Sequence, residues 1–146
     1  MSQWDIKASD LQCIEKVNPN SIIVSRSAGG QLFGAHKIAQ LIKDRGIDVH
    51  VNKECLSACT IILAAASKST MCKSASIGVH HFGSNGKAVR NNQVLREHID
   101  LMASFGINKK GYSDIMVNTP YTRFHYMNNK EMRDLGFITN VSLKCS

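Results

Sequence analysis

The chain has 146 residues, a formal net charge of +7 and a sequence pI of about 9.3. That length suits one domain burying roughly 68–70% of the surface that its unfolded chain exposes. The longest apolar stretch, Thr60–Ala66, is far shorter than the ~20 residues of a membrane helix. The basic residues are scattered and no nucleic-acid motif is present. Composition and charge therefore exclude a membrane span and argue against nucleic-acid binding.

Helices and strands are predicted to alternate along most of the chain. The continuous β-branched run over 21–26 is typical of a strand buried on both faces. The apolar residues of 31–45 recur at helical spacing, and Gly46 is suited to end that helix. In chain order we predict a helix over 9–17, a strand over 21–26, a helix over 31–45, a strand over 47–52, a helix over 57–66, a connector over 67–73, a strand over 76–82, a turn over 83–86, helices over 89–105 and 110–117, a helical turn over 129–135 and a strand over 137–141.

A serine, a histidine and a glycine turn stand at the ends of these elements. Ser57 opens the small-residue helix, a histidine ends the strand IGVHH, and Gly29-Gly30 follows the strand over 21–26. A nucleophile at a helix N-terminus, a base on a neighbouring strand and a close backbone donor are the parts of a serine acyl-transfer site. This arrangement predicts a serine hydrolase.

Structural interpretations stay open beside that one. Ser57 is also a favoured helix N-cap, His80 suits a core histidine that donates to a backbone carbonyl, and Gly29-Gly30 suits a simple turn. The strand places His81 on the face opposite His80. We expect His36, His50 and His98 to lie on exposed faces and assign them no chemistry.

The five cysteines give no metal signature. Cys55 and Cys59 are four residues apart, but no second pair completes a zinc site, so we predict neither a metal nor a cofactor. We expect free buried thiols. The alternative is one disulfide that involves Cys55 and Cys72, which would indicate an oxidising compartment.

The order of these motifs resembles that of the Clp protease proteolytic subunit and its relatives in the ClpP/crotonase superfamily. The resemblance rests on the turn Ser27-Ala28-Gly29-Gly30, the box Leu56-Ser57-Ala58, the strand end Val79-His80-His81 and the segment Lys130–Gly136. It covers about 18–138 and is closest to the bacterial ClpP-like proteins that carry an SAC box.

The resemblance implies an α/β fold: a ClpP/crotonase-like spiral of β-β-α units with a mostly parallel central sheet and a C-terminal helical part. It implies a single domain over 1–146, with the first strand of the family absent or reduced to Trp4-Asp5-Ile6. It also implies a homo-oligomer. The helix over 89–105, together with Ile115, Met116 and Val117, offers more apolar surface than one small sheet can cover.

The resemblance assigns a role to each site residue. Ser57 corresponds to the nucleophile and His80 to the base, and the backbone amides of Gly30 and Ala58 would form the oxyanion hole. The third catalytic member of the family is usually an aspartate, and Thr122 occupies its position here. Asn118 and His125 are spatial alternatives. A neutral partner orients the base but stabilises the imidazolium less than a carboxylate does, so we expect slow hydrolysis.

Three functions fit these residues. The first is a ClpP-like serine peptidase that acts on peptides or unfolded protein segments. The second is a catalytically inactive crotonase-fold module that acts through protein–protein contacts, which the missing aspartate favours. The third is an acyl-CoA crotonase, which would need neither Ser57 nor His80. The polar opening segment contains no signal peptide, which predicts a cytoplasmic protein, or an envelope or periplasmic one if an upstream signal has been removed.

Overall fold

The computed structural model describes residues 4–80, 83–84, 87–88, 92–142 and 145. Its helices are α1 (Asp10–Val17), α2 (Leu32–Arg45), α3 (Cys59–Ala65), α4 (Asn92–Ser104), α5 (Lys109–Asn118) and α6 (Asn129–Leu135). Its strands are β1 (Asp5–Ile6), β2 (Ser21–Ser27), β3 (Gly29–Gly30), β4 (Asp48–Leu56), β5 (Ser69–Cys72), β6 (Ser76–Val79), β7 (Gly83–Ser84), β8 (Lys87–Ala88), β9 (His125–Tyr126) and β10 (Asn140–Ser142).

Strand β4 lies at the centre of the main sheet. It pairs in parallel with β2 along most of its length. On its other edge β5 pairs with residues 49–51 and β6 pairs with residues 54–56, again in parallel. Strand β10 extends the sheet beyond β5 in parallel, and β9 joins β6 in the antiparallel sense. The end of β4 is therefore held between β2 and β6, and Ser57 follows directly.

Helix α3 is the buried centre of the fold. All seven of its residues are buried, and none carries a charge. Apart from Thr60, whose hydroxyl donates to the Ser57 carbonyl, the residues of this helix are apolar, and the helix packs against α2, α4 and β6 at once. The turn that carries Ser57 thus joins the central strand to the central helix.

Most predicted elements are present, and the α/β fold with a mostly parallel sheet is confirmed. Ala35, Ile38, Ala39 and Ile42 form the fully buried stripe of α2. Gly46 ends this helix in the left-handed conformation (φ 64°), as its sequence position predicts. Strands β2 and β4 pair in parallel on either side of α2, which is the crossover connection that a strand–helix–strand order forms in a parallel sheet.

Some predicted strands are wrong in burial or extent. Strand β2 is not buried on both faces: Val24 is 2% exposed, but its neighbour Ile23 is 66% exposed. The β-branched run there reflects strand propensity rather than two-sided burial. The predicted connector over 67–73 contains β5, and the closing strand begins at Asn140, after the buried Phe137 and Ile138.

The apolar stripe on α4 and α5 is largely covered within the chain itself. Ile99, Met102 and Met116 are buried, whereas Val117 is 61% exposed. Among the described residues, every helix is too short or too polar to cross a membrane. The predicted strand end at 81–82 and helix start at 89–91 lie outside the described residues, as does part of the predicted turn over 83–86.

Gly34 permits close contact between α2 and the segment that precedes α1. A Cβ atom at Gly34 would lie 2.8 Å from the backbone nitrogen of Ala8. Gly34→Ala should therefore lower the free energy of unfolding by roughly 1–3 kcal/mol, despite a gain in helix propensity of about 1 kcal/mol. Urea unfolding measures the change. Lys37→Ala, at an exposed position of the same helix, is the control, and equal or higher stability of Gly34→Ala would contradict this packing.

Candidate active site

Ser57 occupies a strained turn between β4 and α3. Its φ angle of 54° is left-handed, a conformation that costs a residue with a Cβ atom roughly 1–3 kcal/mol. Backbone bonds hold it on both sides: its N–H donates to the Gly78 carbonyl (2.9 Å), and its own carbonyl accepts from the Thr60 N–H (2.9 Å). Such a turn places a half-buried hydroxyl at the end of the central strand.

His80 stands beside that hydroxyl with a defined tautomer. Its Nδ1 lies 2.6 Å from the Tyr121 carbonyl, and its Nε2 lies 2.9 Å from Ser57 Oγ. A carbonyl only accepts, so the Nδ1–H donates to it, and the neutral ring presents the Nε2 lone pair to the serine hydroxyl. This is the tautomer that a general base for Ser57 requires.

The group that orients His80 is a backbone carbonyl rather than the predicted side chain. Thr122 is exposed, and the carbonyl of the preceding residue, Tyr121, takes the place that we expected Thr122 to fill. The two alternatives are bonded elsewhere, since Asn118 donates to the Asp114 carbonyl (2.8 Å) and His125 pairs with Glu131 (2.9 Å). Sequence reasoning missed Tyr121 because a backbone acceptor has no residue-type signature.

The two glycines of the turn meet different neighbours. A Cβ atom at Gly29 would lie 3.0 Å from the Ser57 Cβ and 3.1 Å from the Ala58 nitrogen, so β3 passes directly beside the serine turn. A Cβ atom at Gly30 would lie 2.2 Å from the Ile6 carbonyl oxygen. That carbonyl accepts from the Gln31 N–H (2.9 Å). Because successive amides of a strand point to opposite sides, the Gly30 N–H points away from β1.

Ser57 is not the N-cap that a purely structural role would make it, whereas His80 does have the backbone contact of a structural histidine. Ser57 does not cap α3, whose N-cap is Ala58 and has no side-chain capping bond. His80 does donate to a backbone carbonyl, but it also contacts Ser57 Oγ through its second nitrogen. The ring of Phe124 lies against His80 with the ring centres 4.5 Å apart, which covers one side of the imidazole.

Searches against known proteins agree with this fold. No protein-family model matches the chain, and no curated protein matches it. Among solved structures, a mutant of the 1510-N membrane-bound stomatin-specific protease matches with a TM-score of 0.68 and 18% identity, over 98% of this chain and 77% of that one. A mutant of ClpP1 from Listeria monocytogenes matches with a TM-score of 0.68 and 18% identity, over 99% of this chain and 90% of that one.

The fold is ClpP-like. A second mutant of the stomatin-specific protease, in complex with a substrate peptide, matches with a TM-score of 0.67, 18% identity and coverage of 98% of this chain and 73% of that one. At such identity the likeness shows the fold alone.

Four of the five cysteines of this ClpP-like fold are paired, which corrects the expectation of free buried thiols. Cys55 is bonded to Cys59, not to Cys72, and Cys72 is bonded to Cys145. Cys13 is free and exposed. The spacing of four was misleading, because Cys55 is the penultimate residue of β4 and Cys59 is the first residue of α3. The turn between them brings their Cα atoms to 5.3 Å.

One further cluster has metal-ligating residue types. His50, Cys72 and Cys145 place their ligand atoms within 4.8 Å of one another. The sulfurs of Cys72 and Cys145 are joined in a disulfide. Of the three side chains, this leaves the His50 imidazole to bind a metal ion. His50 also bonds to Thr70 Oγ1 (2.7 Å). In this disulfide form the cluster does not have the thiolates of a zinc site.

A pair of histidines links helices α2 and α4. His36 Nε2 lies 2.9 Å from His98 Nδ1, and His98 Nε2 lies 2.6 Å from the Tyr112 hydroxyl. The prediction that these histidines lie on exposed faces is wrong: His98 is 1% exposed, and His36 and His50 are half-buried. The polar residues of α4 misled the sequence reading, because α2 and α5 cover that side of the helix.

Burial sets the protonation of this cluster. It lowers the pKa of His98 to about 3, with the neighbouring His36 adding to the shift. Burial also lowers the pKa of His36, which Glu97 partly offsets, and it raises the pKa of the Tyr112 hydroxyl. The histidines and the tyrosine of this cluster are therefore neutral at neutral pH, and they join α2, α4 and α5 by hydrogen bonds and ring contacts.

The depressed pKa of His98 predicts that acid weakens the fold. Between about pH 3 and pH 6.5 the unfolded chain binds a proton on His98 that the folded chain does not, so stability rises with pH in this window. The slope approaches roughly 1.4 kcal/mol per pH unit for each such proton. Urea unfolding from pH 4 to 7 measures it.

Two variants isolate the residue responsible for that slope. His98→Gln should flatten the slope, whereas Tyr112→Phe should retain it, because burial rather than the tyrosine hydroxyl is the main cause. Equal slopes for His98→Gln and the unchanged protein would contradict this assignment.

Proposed function

We propose that the protein is a ClpP-like serine peptidase that hydrolyses peptide bonds through Ser57 and His80. One observation carries the proposal: the Nε2 of a correctly oriented imidazole lies 2.9 Å from the hydroxyl of a serine held in a left-handed turn. That distance is within the hydrogen-bond reach required of a nucleophile and its base. An ordinary surface serine has no reason to adopt this conformation.

The reaction follows from the positions of the protons. His80 Nε2 accepts the hydroxyl proton as Ser57 Oγ attacks the peptide carbonyl, and the Nδ1–H keeps its bond to the Tyr121 carbonyl. The protonated ring then donates to the leaving amine. Water, deprotonated by the same ring, hydrolyses the acyl-enzyme and regenerates Ser57.

Two backbone amides are suited to bind the oxyanion. The Ala58 N–H belongs to the first amides of α3, which have no partner within a helix. The Gly30 N–H points away from β1, and the neighbouring Gly29 lies against the Ser57 turn. In comparable sites the loss of one such donor lowers kcat by roughly 10²–10³.

A backbone carbonyl in the third catalytic position, where the family usually has an aspartate, predicts a slow enzyme. The Tyr121 carbonyl fixes the tautomer of His80 as an aspartate would, but it carries no full charge to stabilise the imidazolium. The proposed peptidase therefore has the geometry of a serine–histidine pair without the electrostatic contribution of an acid.

The proposed substrates are peptides or unfolded protein segments. The solved complex of a stomatin-specific protease with a substrate peptide supports this class, because that protease shares the fold. A single domain over 1–146 and self-association stay predictions of the same proposal. Val117 is an exposed apolar residue of α5 that self-association could cover.

A catalytically inactive crotonase-fold module is the second candidate. The observation that favours it is the neutral acceptor at His80 Nδ1, where the family usually has an aspartate. In this alternative the Ser57–His80 bond would be a structural contact, and neither residue would react with an acylating reagent.

A fluorophosphonate probe separates the two candidates. The unchanged protein should be labelled on Ser57, Ser57→Ala should not be labelled, and His80→Ala should be labelled about 10²–10⁴ times more slowly. Intact-protein mass spectrometry measures labelling, and circular dichroism controls for folding.

The inactive module predicts another result. A folded protein that stays unlabelled between pH 6 and 9 would reject the peptidase. So would labelling that persists in Ser57→Ala.

Thr122 provides a separate test of the third position. Thr122→Ala should retain the labelling rate within about threefold, because the backbone carbonyl of Tyr121 orients His80 and the substitution preserves it. A loss comparable to that of His80→Ala would instead assign the orienting role to the Thr122 hydroxyl. The same probe and mass measurement apply.

A further inference from the structure

A disulfide brackets the candidate nucleophile. Cys55 is the penultimate residue of β4 and Cys59 is the first residue of α3, and their bond closes a loop of five residues with Ser57 at its centre. The loop contains the whole transition from strand to helix. Any change in the direction of that transition would therefore act on this bond.

Ser57 needs such a restraint more than its neighbours do. The left-handed region is unfavourable for a residue with a Cβ atom, so an unrestrained serine tends to relax out of it. The hydrogen bonds to Gly78 and Thr60 fix the two flanking peptide groups. The disulfide is the covalent connection that spans the residue.

The environment of the disulfide suits a permanent restraint. Cys55 and Cys59 are both 0% exposed and belong to the central hydrophobic core. Buried sulfurs are poorly accessible to thiols in solution. The bond is therefore placed to hold geometry rather than to exchange with a reductant, and its formation requires an oxidising compartment.

Stability alone accounts poorly for this bond. A disulfide that closes a short loop restricts the unfolded chain less than one that closes a long loop. The Cys55–Cys59 bond spans a sequence separation of 4, whereas the Cys72–Cys145 bond spans 73. The chain thus contains one disulfide placed for global stability and one placed around Ser57.

We propose that the Cys55–Cys59 disulfide is a positioning element of the Ser57–His80 site. It holds the Ser57 hydroxyl within reach of His80 Nε2 and holds the Ala58 amide beside it. This inference rests on the peptidase function proposed above. The two cysteines make no contact with substrate in this role.

Paired double variants test the proposal. Cys55→Ala with Cys59→Ala should lower the fluorophosphonate labelling rate about 100-fold, the scale of a 1 Å misplacement, and retain a folded circular dichroism spectrum. Cys72→Ala with Cys145→Ala is the matched control. It should keep labelling within about threefold and show the larger fall in melting temperature.

The opposite pattern would overturn the proposal. If the labelling rate of the Cys55→Ala, Cys59→Ala protein is within threefold of that of the unchanged protein, the disulfide does not position Ser57. If this variant fails to fold, Cys55→Val with Cys59→Ala refills part of the buried volume and replaces it.

Nitrogen NMR of the His80 ring distinguishes failure of the disulfide proposal from failure of the peptidase proposal. If the unchanged protein is never labelled, the peptidase proposal fails. The positioning role of the Cys55–Cys59 disulfide is then tested by the chemical shift of His80 Nε2. Loss of the Ser57 bond on removal of the Cys55–Cys59 disulfide should move that signal by several ppm, whereas the control pair should leave it in place. An unchanged chemical shift in the Cys55→Ala, Cys59→Ala protein would overturn the proposal that the disulfide positions Ser57.

Discussion

The left-handed turn at Ser57 is the constraint on which the site depends. It connects the central strand β4 to the central helix α3, and it carries a half-buried hydroxyl beside an apolar core. The surrounding fold supports this turn from several sides, through the Gly78 carbonyl, the close approach of Gly29 and the disulfide across the loop. Local strain of this kind persists only where neighbouring structure determines it, and such strain concentrates at functional sites.

The second requirement of the proposed site is an imidazole nitrogen that faces the turn. His80 meets it because Gly78 and His80 lie on the same chain segment, so the strand that binds the Ser57 amide also carries the imidazole. The Tyr121 carbonyl then fixes the ring from the other side. The tautomer of the His80 imidazole is thus fixed without an acidic side chain.

The sequence predicts the residues of the site better than their surroundings. Ser57, His80 and the glycine turn could be found because nucleophile, base and close backbone approach each require particular residue types. The Tyr121 carbonyl could not be found, since any residue supplies one. The Cys55–Cys59 bond was missed because a spacing of four suggests a helix rather than the strand end and helix start that it joins. In the fold, the buried apolar face of α2 could be predicted from the helical spacing of its apolar residues. The exposure of Ile23 could not, because it depends on which side of β2 the core covers.

The most direct test of this account is a crystal structure of the protein after reaction with a peptide boronate. A peptidase that works through Ser57 and His80 should give a tetrahedral adduct on Ser57 Oγ, with one boronate oxygen about 2.7–3.1 Å from the amide nitrogens of Ala58 and Gly30. His80 Nε2 should remain in contact with the adduct. An unmodified Ser57 at saturating reagent, or an adduct whose oxygens meet neither amide, would contradict it.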